Sequence, residues 1–308
     1  MALHTLQQNA ITRRMFHALN AERTDYLAGL MGPVNPSNQR VESYAGTGAV
    51  DPMTETGGEQ PTRDSRKVEY DLANKFFQTG TRITYAERLF ETWAPIDQKI
   101  AGLNNRYQSH WAKLATQLFG KGRTARGYDK HPFFSTTHKE GKSRTQSNLL
   151  SQAPTTAGQP TPEEMRSGIY RCIEGMMSLV DDVDEPANEM VEEFLVFYPT
   201  KYTQAVDHGI GAEFLGGGDS NVIARNRTFL PVPMPRFGGV AELQDAIVVV
   251  ANDGMALIRQ QVEGPVIRVK GQDSDYEFDN NGDWAYSVNA VRNAGYGSWQ
   301  KAFLFEFK

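Results

Sequence analysis

The sequence predicts a mixed α+β chain: an N-terminal arm, a hairpin, one long helix, a compact α/β centre and a terminal sheet. Three patterns carry that expectation. Lys67 to Leu72 alternates strictly, with Val68, Tyr70 and Leu72 on one face and charged residues on the other, as a half-buried strand does. Ile96, Ile100, Leu103, Tyr107, Trp111, Leu114 and Leu118 recur at helical spacing and form one apolar stripe. Phe194–Tyr198 and Ala246–Ala251 are short continuous apolar runs suited to buried strands. The 308 residues are enough for a sizeable core, and 39% hydrophobic against 22% charged residues is the composition of an ordered globular protein.

Each element has a local reason. Residues 5–30 read as a helix stopped by Gly32, Pro33, Asn35 and Pro36. Residues 44–65, with Gly57, Gly58 and Pro61, read as irregular. Ala73 to Lys75 would turn the first strand into a second, Phe76 to Tyr85, forming a hairpin. Two strands alone are marginal in water, so their apolar face needs the parent body or a neighbour. The long helix opens near Pro95 and ends at Gly120 and Gly122, a span of roughly 37 Å at 1.5 Å per residue. Residues 121–160 read as long loops. Thr161-Pro-Glu-Glu164 caps a helix that runs to about Val180 with Ile169, Ile173, Met176, Met177 and Val180 inward. Pro199 and Thr200 start another helix, ending at Gly209. Strands follow at 266–269, 284–291 and 302–307.

Charge and cysteine content exclude several classes. With 32 Lys+Arg against 37 Asp+Glu the net charge is −5, unlike a basic nucleic-acid coat. The distribution is uneven. Asp97 to Arg144 holds ten Lys/Arg and three acids, whereas Glu163 to Glu193 holds ten acids and two Arg. Opposed blocks of this kind suit association between subunits or domains. The single Cys172 excludes an internal disulfide framework and a multi-thiolate zinc site. It lies on an apolar helix face, as a buried structural thiol. No apolar run is long enough to cross a bilayer, and the N-terminus lacks a secretory h-region.

Candidate chemistry is sparse. Asp273, Asp275, Glu277 and Asp279 begin like a calcium loop, but Phe278 holds its sixth position and Trp284 its twelfth, so an acidic turn is expected instead. His131 and His138 have no third ligand nearby. Gly209-Ile-Gly211 and Gly216-Gly-Gly218 follow a helix rather than a strand and read as linkers. No nucleophile elbow is present. The aromatics of Tyr128–Phe134 and Gly295–Trp299 could stack on bases, but they suit the space between a sheet and its covering loops better. No residue is assigned to catalysis, a cofactor or a metal.

Three segments carry a family resemblance: Tyr70-Asp-Leu-Ala-Asn-Lys-Phe-Phe77; His131-Pro-Phe-Phe-Ser-Thr-Thr-His138 with Ser147-Asn-Leu-Leu150; and Asp273 to Phe305, including Arg292-Asn-Ala-Gly-Tyr-Gly-Ser-Trp-Gln300. In that order they resemble the major head subunit of Mu-like tailed phages. The resemblance covers nearly the whole chain, with residues 1–45 and 210–240 alike only in character. It implies the Hong Kong 97-type capsid fold. The arm would be 1–45, the extended loop 46–90, the peripheral domain with its spine helix 91–147 and 259–308, and the axial domain 148–258. It also implies a shell of hexamers and pentamers around packaged double-stranded DNA, located in the virion head and assembled in the host bacterial cytoplasm. Implied partners are further copies of the chain, a portal at one vertex, a cement protein as an optional decoration, and DNA in non-specific contact. Because the chain opens at arm length, a separate scaffolding protein is expected. No membrane and no cofactor are implied. Candidates for contact with a neighbour are Val68, Tyr70, Leu72, Phe76 and Phe77. Lys75 lies in the loop that some relatives crosslink, but no partner Asn or catalytic Glu matches.

Two other readings compete. An encapsulin-type compartment would share the fold and need an inner groove for a cargo peptide. A calcium-dependent module or enzyme would use the acids of 273–283. Neighbouring portal and terminase genes, or calcium titration of the monomer, separate them from a phage shell.

Overall fold

The computed structural model describes residues 2–21, 25–47, 49, 67–90, 93–211 and 228–308. A four-stranded sheet has the order β1 (Asn35–Pro36), β9 (Leu257–Lys270), β10 (Trp284–Tyr296), β4 (Lys75–Ile83). A five-stranded sheet has the order β5 (Leu149–Ser151), β11 (Ala302–Glu306), β8 (Ala246–Ala251), β6 (Glu193–Tyr198), β7 (Thr228–Pro233). The third sheet is a ribbon of β2 (Val41–Thr47) and β3 (Lys67–Ala73). The α+β class is therefore as expected.

The apolar patterns divide between two cores. Helix α1 (Ala2–Asn20) and helix α4 (Trp93–Gln108) cover the four-stranded sheet, burying Ile11, Met15, Ile96, Ile100 and Leu103 against Ile83, Trp284 and Val288. Helix α6 (Pro162–Met177) covers the five-stranded sheet with Ile169, Cys172 and Met176, and helix α5 (His110–Lys121) packs on β10 and sets Phe119 beside Phe197 of β6. Thr161 accepts from the Glu164 amide at 3.2 Å and Glu164 returns the bond to the Thr161 amide at 2.8 Å, so α6 begins with the expected capping box. Burial pushes the Cys172 thiol well above its ordinary range, in keeping with a structural role.

Several expectations are corrected. The long helix is two segments, Trp93–Gln108 and His110–Lys121, separated by a turn at Ser109. The arm helix stops at Asn20, and a second short helix, α2 (Ala28–Met31), follows Asp25, whose carboxylate accepts from the Leu27 amide at 3.1 Å. Both breaks fall where the chain leaves the small core for the large one: Leu19 belongs to the first, Leu30 and Met31 to the second. Residues 44–47 are strand, not irregular. The remainder of that segment, with Gly57, Gly58 and Pro61, and the Gly216–Gly218 linker lie outside the described residues.

The expected β3–β4 hairpin is not the pairing found. β3 pairs with β2 (Tyr44 opposite Tyr70), and β4 pairs with β10 (Ile83 opposite Trp284). Alternation marks which face of a strand is apolar but not which strand lies beside it. The expected single terminal sheet is likewise divided, since β9 and β10 join β4 while β11 joins β8 and β5. Strand β9 starts before Pro265 because that proline falls at an irregularity in the β9–β10 register, where it forfeits no ladder bond. The acidic segment forms a short helix, Asp275–Asp279, capped by Ser274.

The two aromatic segments do fill the space between sheet and loops. Phe133 stacks on Tyr296 at 4.6 Å and His138 on Trp299 at 4.0 Å. Asn148 holds this layer together. Its Nδ2 donates to the carbonyls of Phe133, Trp299 and Ala302 at 2.8, 3.1 and 3.1 Å, and its Oδ1 accepts from the Ser135 amide at 2.9 Å. The buried His138 faces Asp129 through Nδ1 at 2.5 Å and Asn148 Oδ1 through Nε2 at 3.2 Å. A buried network this complete rigidifies one loop arrangement.

Helix α6 approaches β11 closely. A Cβ at Gly175 would lie 2.6 Å from Phe303 Cε1. Replacing Gly175 with Val should overpack this contact and cost about 1–3 kcal/mol, read as a lower denaturation midpoint with an unchanged slope.

Candidate intersubunit surface

The ribbon β2–β3 is tied at its base to its own chain. Tyr70 accepts from the Tyr296 amide at 3.2 Å. Asn293 donates to the Ala73 carbonyl at 2.7 Å, and Gln260 donates to the Leu72 carbonyl at 2.9 Å while accepting from Tyr44 at 2.9 Å. A Cβ at Gly295 would lie 2.9 Å from Tyr70 and 3.0 Å from Leu72, so glycine lets these two side chains settle on β10 without shifting. Leu72 is consequently buried in its own subunit.

That alters the expectation for the five candidate contacts. Tyr70 and Leu72 spend their apolar faces on β10, which the strand pattern alone could not reveal. Val68, nearer the ribbon's far end, is half-buried. Phe77 packs its ring on His110 at 4.3 Å. Phe76 alternates to the opposite face of β4 and is 87% exposed.

A second apolar corner was not legible in the sequence. The start of α1, helix α3 (Tyr85–Leu89) and the short helix Asp275–Asp279 meet there. Arg88 of α3 is buried with its guanidinium 3.6 Å over the Trp284 ring and 3.4 Å from Glu277, and it donates to the Gly282 carbonyl. Glu277 also accepts from the Trp284 indole at 2.7 Å and from the Asp273 amide at 2.8 Å. The acid once considered for calcium is thus a structural tie. Among the described residues, no group of three His, Cys, Asp or Glu side chains is placed to hold a metal ion. Around these buried ties, Leu6, Leu89, Phe90 and Phe278 remain exposed. A phenylalanine inside an otherwise acidic turn was the signal that could have marked Phe278. Exposed apolar clusters of this kind mark association sites.

The third feature lies at the break between α4 and α5. Arg292 of β10 is 2% exposed, stacks on Tyr107 and Trp111 at 4.3 and 4.7 Å, and donates to the Tyr107 carbonyl at 2.8 Å. Burial lowers its guanidinium to about 10. His110 beside it is lowered to about 4 by burial first, then by Arg292, Lys113 and Arg236.

What these features define is a class. A two-core α+β body with an anchored ribbon and exposed apolar side chains is an architecture that phage capsid subunits share. The solved structures agree. The procapsid of bacteriophage JBD30 matches with a TM-score of 0.55 and 15% identity, covering 100% of this chain and 76% of that one. The mature capsid of bacteriophage PhiM1 matches with a TM-score of 0.58 and 11% identity over 93% of this chain and 88% of that one. A virus-like particle from Pyrococcus furiosus gives 0.54 and 8% over 97% and 98%. Comparison with curated proteins returns no match. The model of the Mu-like prophage major head subunit gpT family matches residues 7–160, half of the chain. The chain belongs to that family.

Protonating His110 yields a pH prediction. The unfolded chain takes up this proton near 6.5, whereas the folded one refuses it until about 4. Stability should therefore fall as pH drops through that window. The variant His110→Gln should lose less stability than the parent between pH 7 and pH 4. Parallel urea midpoints for the two proteins would refute this.

Proposed function

We propose that this chain is the major capsid protein of a tailed phage or Mu-like prophage. It associates with copies of itself into hexamers and pentamers that close as an icosahedral head around packaged double-stranded DNA. The observation that carries this reading is the gpT family match over residues 7–160, extended by capsid-fold similarity along the whole chain. Its work is association, and no residue is assigned a catalytic role. The same reading gives the chain the expected division into arm, extended loop, peripheral domain and axial domain. It also assigns it a scaffolding protein during assembly in the host cytoplasm, a portal at one vertex, and a cement protein as an optional addition. The cellular compartment reading is the weaker one, because the family whose model matches is a phage head family.

In this assembly the candidate contacts act unequally. Phe76 and Val68 are the ribbon-proximal side chains left for a neighbour, whereas Tyr70 and Leu72 hold the ribbon in place. Burying a Phe side chain contributes about 1.5–3 kcal/mol per contact before ordering costs, and a shell repeats the contact many times.

Electron microscopy of particles from the expressed head genes tests the reading. Phe76→Ser should give a subunit that melts cooperatively at the parent temperature and forms few or no closed shells. Leu72→Ser should instead destabilise the subunit itself by about 2–5 kcal/mol, as a core truncation does. Normal shells from Phe76→Ser would remove that residue from the interface. The absence of any shell from the parent protein would remove the proposed function.

A further inference from the structure

Between the start of α5, strand β4 and strand β10 lies a groove of about 240 Å³. Its floor is apolar, formed by Phe77, Val288 and Ala290, and its walls are cationic: Arg106, Lys113, Arg236 and Arg292. No Asp or Glu lines it among the described residues. Arg292 Nε and His110 Nδ1 are buried there with no hydrogen-bond partner. The ion pairs of the basic block use Lys99 with Glu87 and Arg123 with Glu306, and leave Arg106 and Lys113 without a carboxylate among the described residues.

The opposite arrangement occurs elsewhere on the same chain. The loop between α6 and β6 exposes Glu185, Glu189 and Glu192, and Glu193 is exposed at the start of β6. Met190 protrudes from it with 91% of its surface exposed. Among the described residues, Glu193 alone of the four accepts a side-chain bond, from Asn252 at 2.7 Å. Among the described residues none of the four acids is in an ion pair. Here an apolar tip has acidic flanks. In the groove an apolar floor has cationic walls.

We propose that in the assembled shell residues 189–192 of one copy dock in this groove on a neighbouring copy. Met190 lies on the Phe77 floor, and Glu189 and Glu192 meet Arg106, Lys113 and Arg236. This rests on the reading of the chain as a shell subunit and names one of its contacts. A surface that finds its complement on a different face of an identical chain makes a head-to-tail interface, the kind that closes rings. Duplex DNA fits less well, because a phosphodiester brings no apolar group to the floor and cannot descend to the buried Arg292. Burial first, and then Arg292, Lys113 and Arg236, hold His110 low, in keeping with the lining of the groove.

Charge reversal tests the pairing. Arg106→Glu with Lys113→Glu, and separately Glu189→Lys with Glu192→Lys, should each cut particle yield at least tenfold while the subunits still melt cooperatively. Combining all four should restore a large part of the yield. A second measurement is independent of these charges. Thr79→Cys with Met190→Cys should form intermolecular disulfides in purified particles under mild oxidant, and neither single variant should. The buried Cys172 gives little background. If a reversal variant fails to fold, this crosslink decides the matter. Normal particles from both reversals, or particles without the crosslink, overturn the proposal while leaving the shell reading intact. Particles that close normally but retain less DNA assign the groove to nucleic acid and overturn it too. The absence of particles from the parent chain overturns both readings.

Discussion

Three separate stretches of this chain must each serve two hydrophobic cores, and that demand shapes the subunit. The arm passes from Leu19 in the small core to Leu30 in the large one, the spine from Leu103 to Leu114, and β10 from Val288 to Ala294. Each is interrupted at its crossing: the arm helix ends at Asn20, the long helix breaks at Ser109, and the β9–β10 register shifts between Asn289 and Arg292. A rigid helix or a regular ladder keeps one face along one direction, so it cannot follow two surfaces without a break.

Arg292 occupies the junction. It is a buried cation without a carboxylate among the described residues, an expensive group in an apolar setting. Two aromatic faces and one carbonyl offset part of that cost, and its lowered proton affinity records the remainder. The same junction leaves a cationic groove open to the outside. A feature required to join the two cores is thereby also available for association.

The ribbon shows which of its apolar side chains the subunit covers itself and which it leaves exposed. At its base, glycine at 295 and the amides of Gln260 and Asn293 bind β3 to the body. Val68, farther from that base, is half-buried, and Phe76 on β4 is exposed. The exposed Leu6, Leu89, Phe90 and Phe278 surround an equally well-bound centre, where Arg88, Glu277 and Trp284 satisfy one another. In both places polar ties fix the backbone and leave apolar side chains outward. That is what a rigid unit needs if it is to add neighbours without reordering itself.

By itself the sequence determined whatever depends on near neighbours along the chain. The stripe of Ile96, Ile100 and Leu103, the capping box at Thr161, the buried runs of β6 and β8 and the inert setting of Cys172 all follow from spacing and local chemistry. The resemblance carried by Tyr70–Phe77, His131–Leu150 and Arg292–Gln300 reached the family, since the order of motifs is a sequence property. Which strands pair, where the long helix breaks and which of Val68, Tyr70, Leu72, Phe76 and Phe77 face outward were decided only by the tertiary structure. Periodicity assigns a face to an element and is silent about its partner. Leu72 looks as available as Phe76 until a glycine on a strand more than two hundred residues away makes room for it. The groove at Arg292 was hidden for the same reason: its floor and walls come from β4, the end of α4, α5, β10 and the 3₁₀ turn Pro235–Gly239, and only packing brings them together.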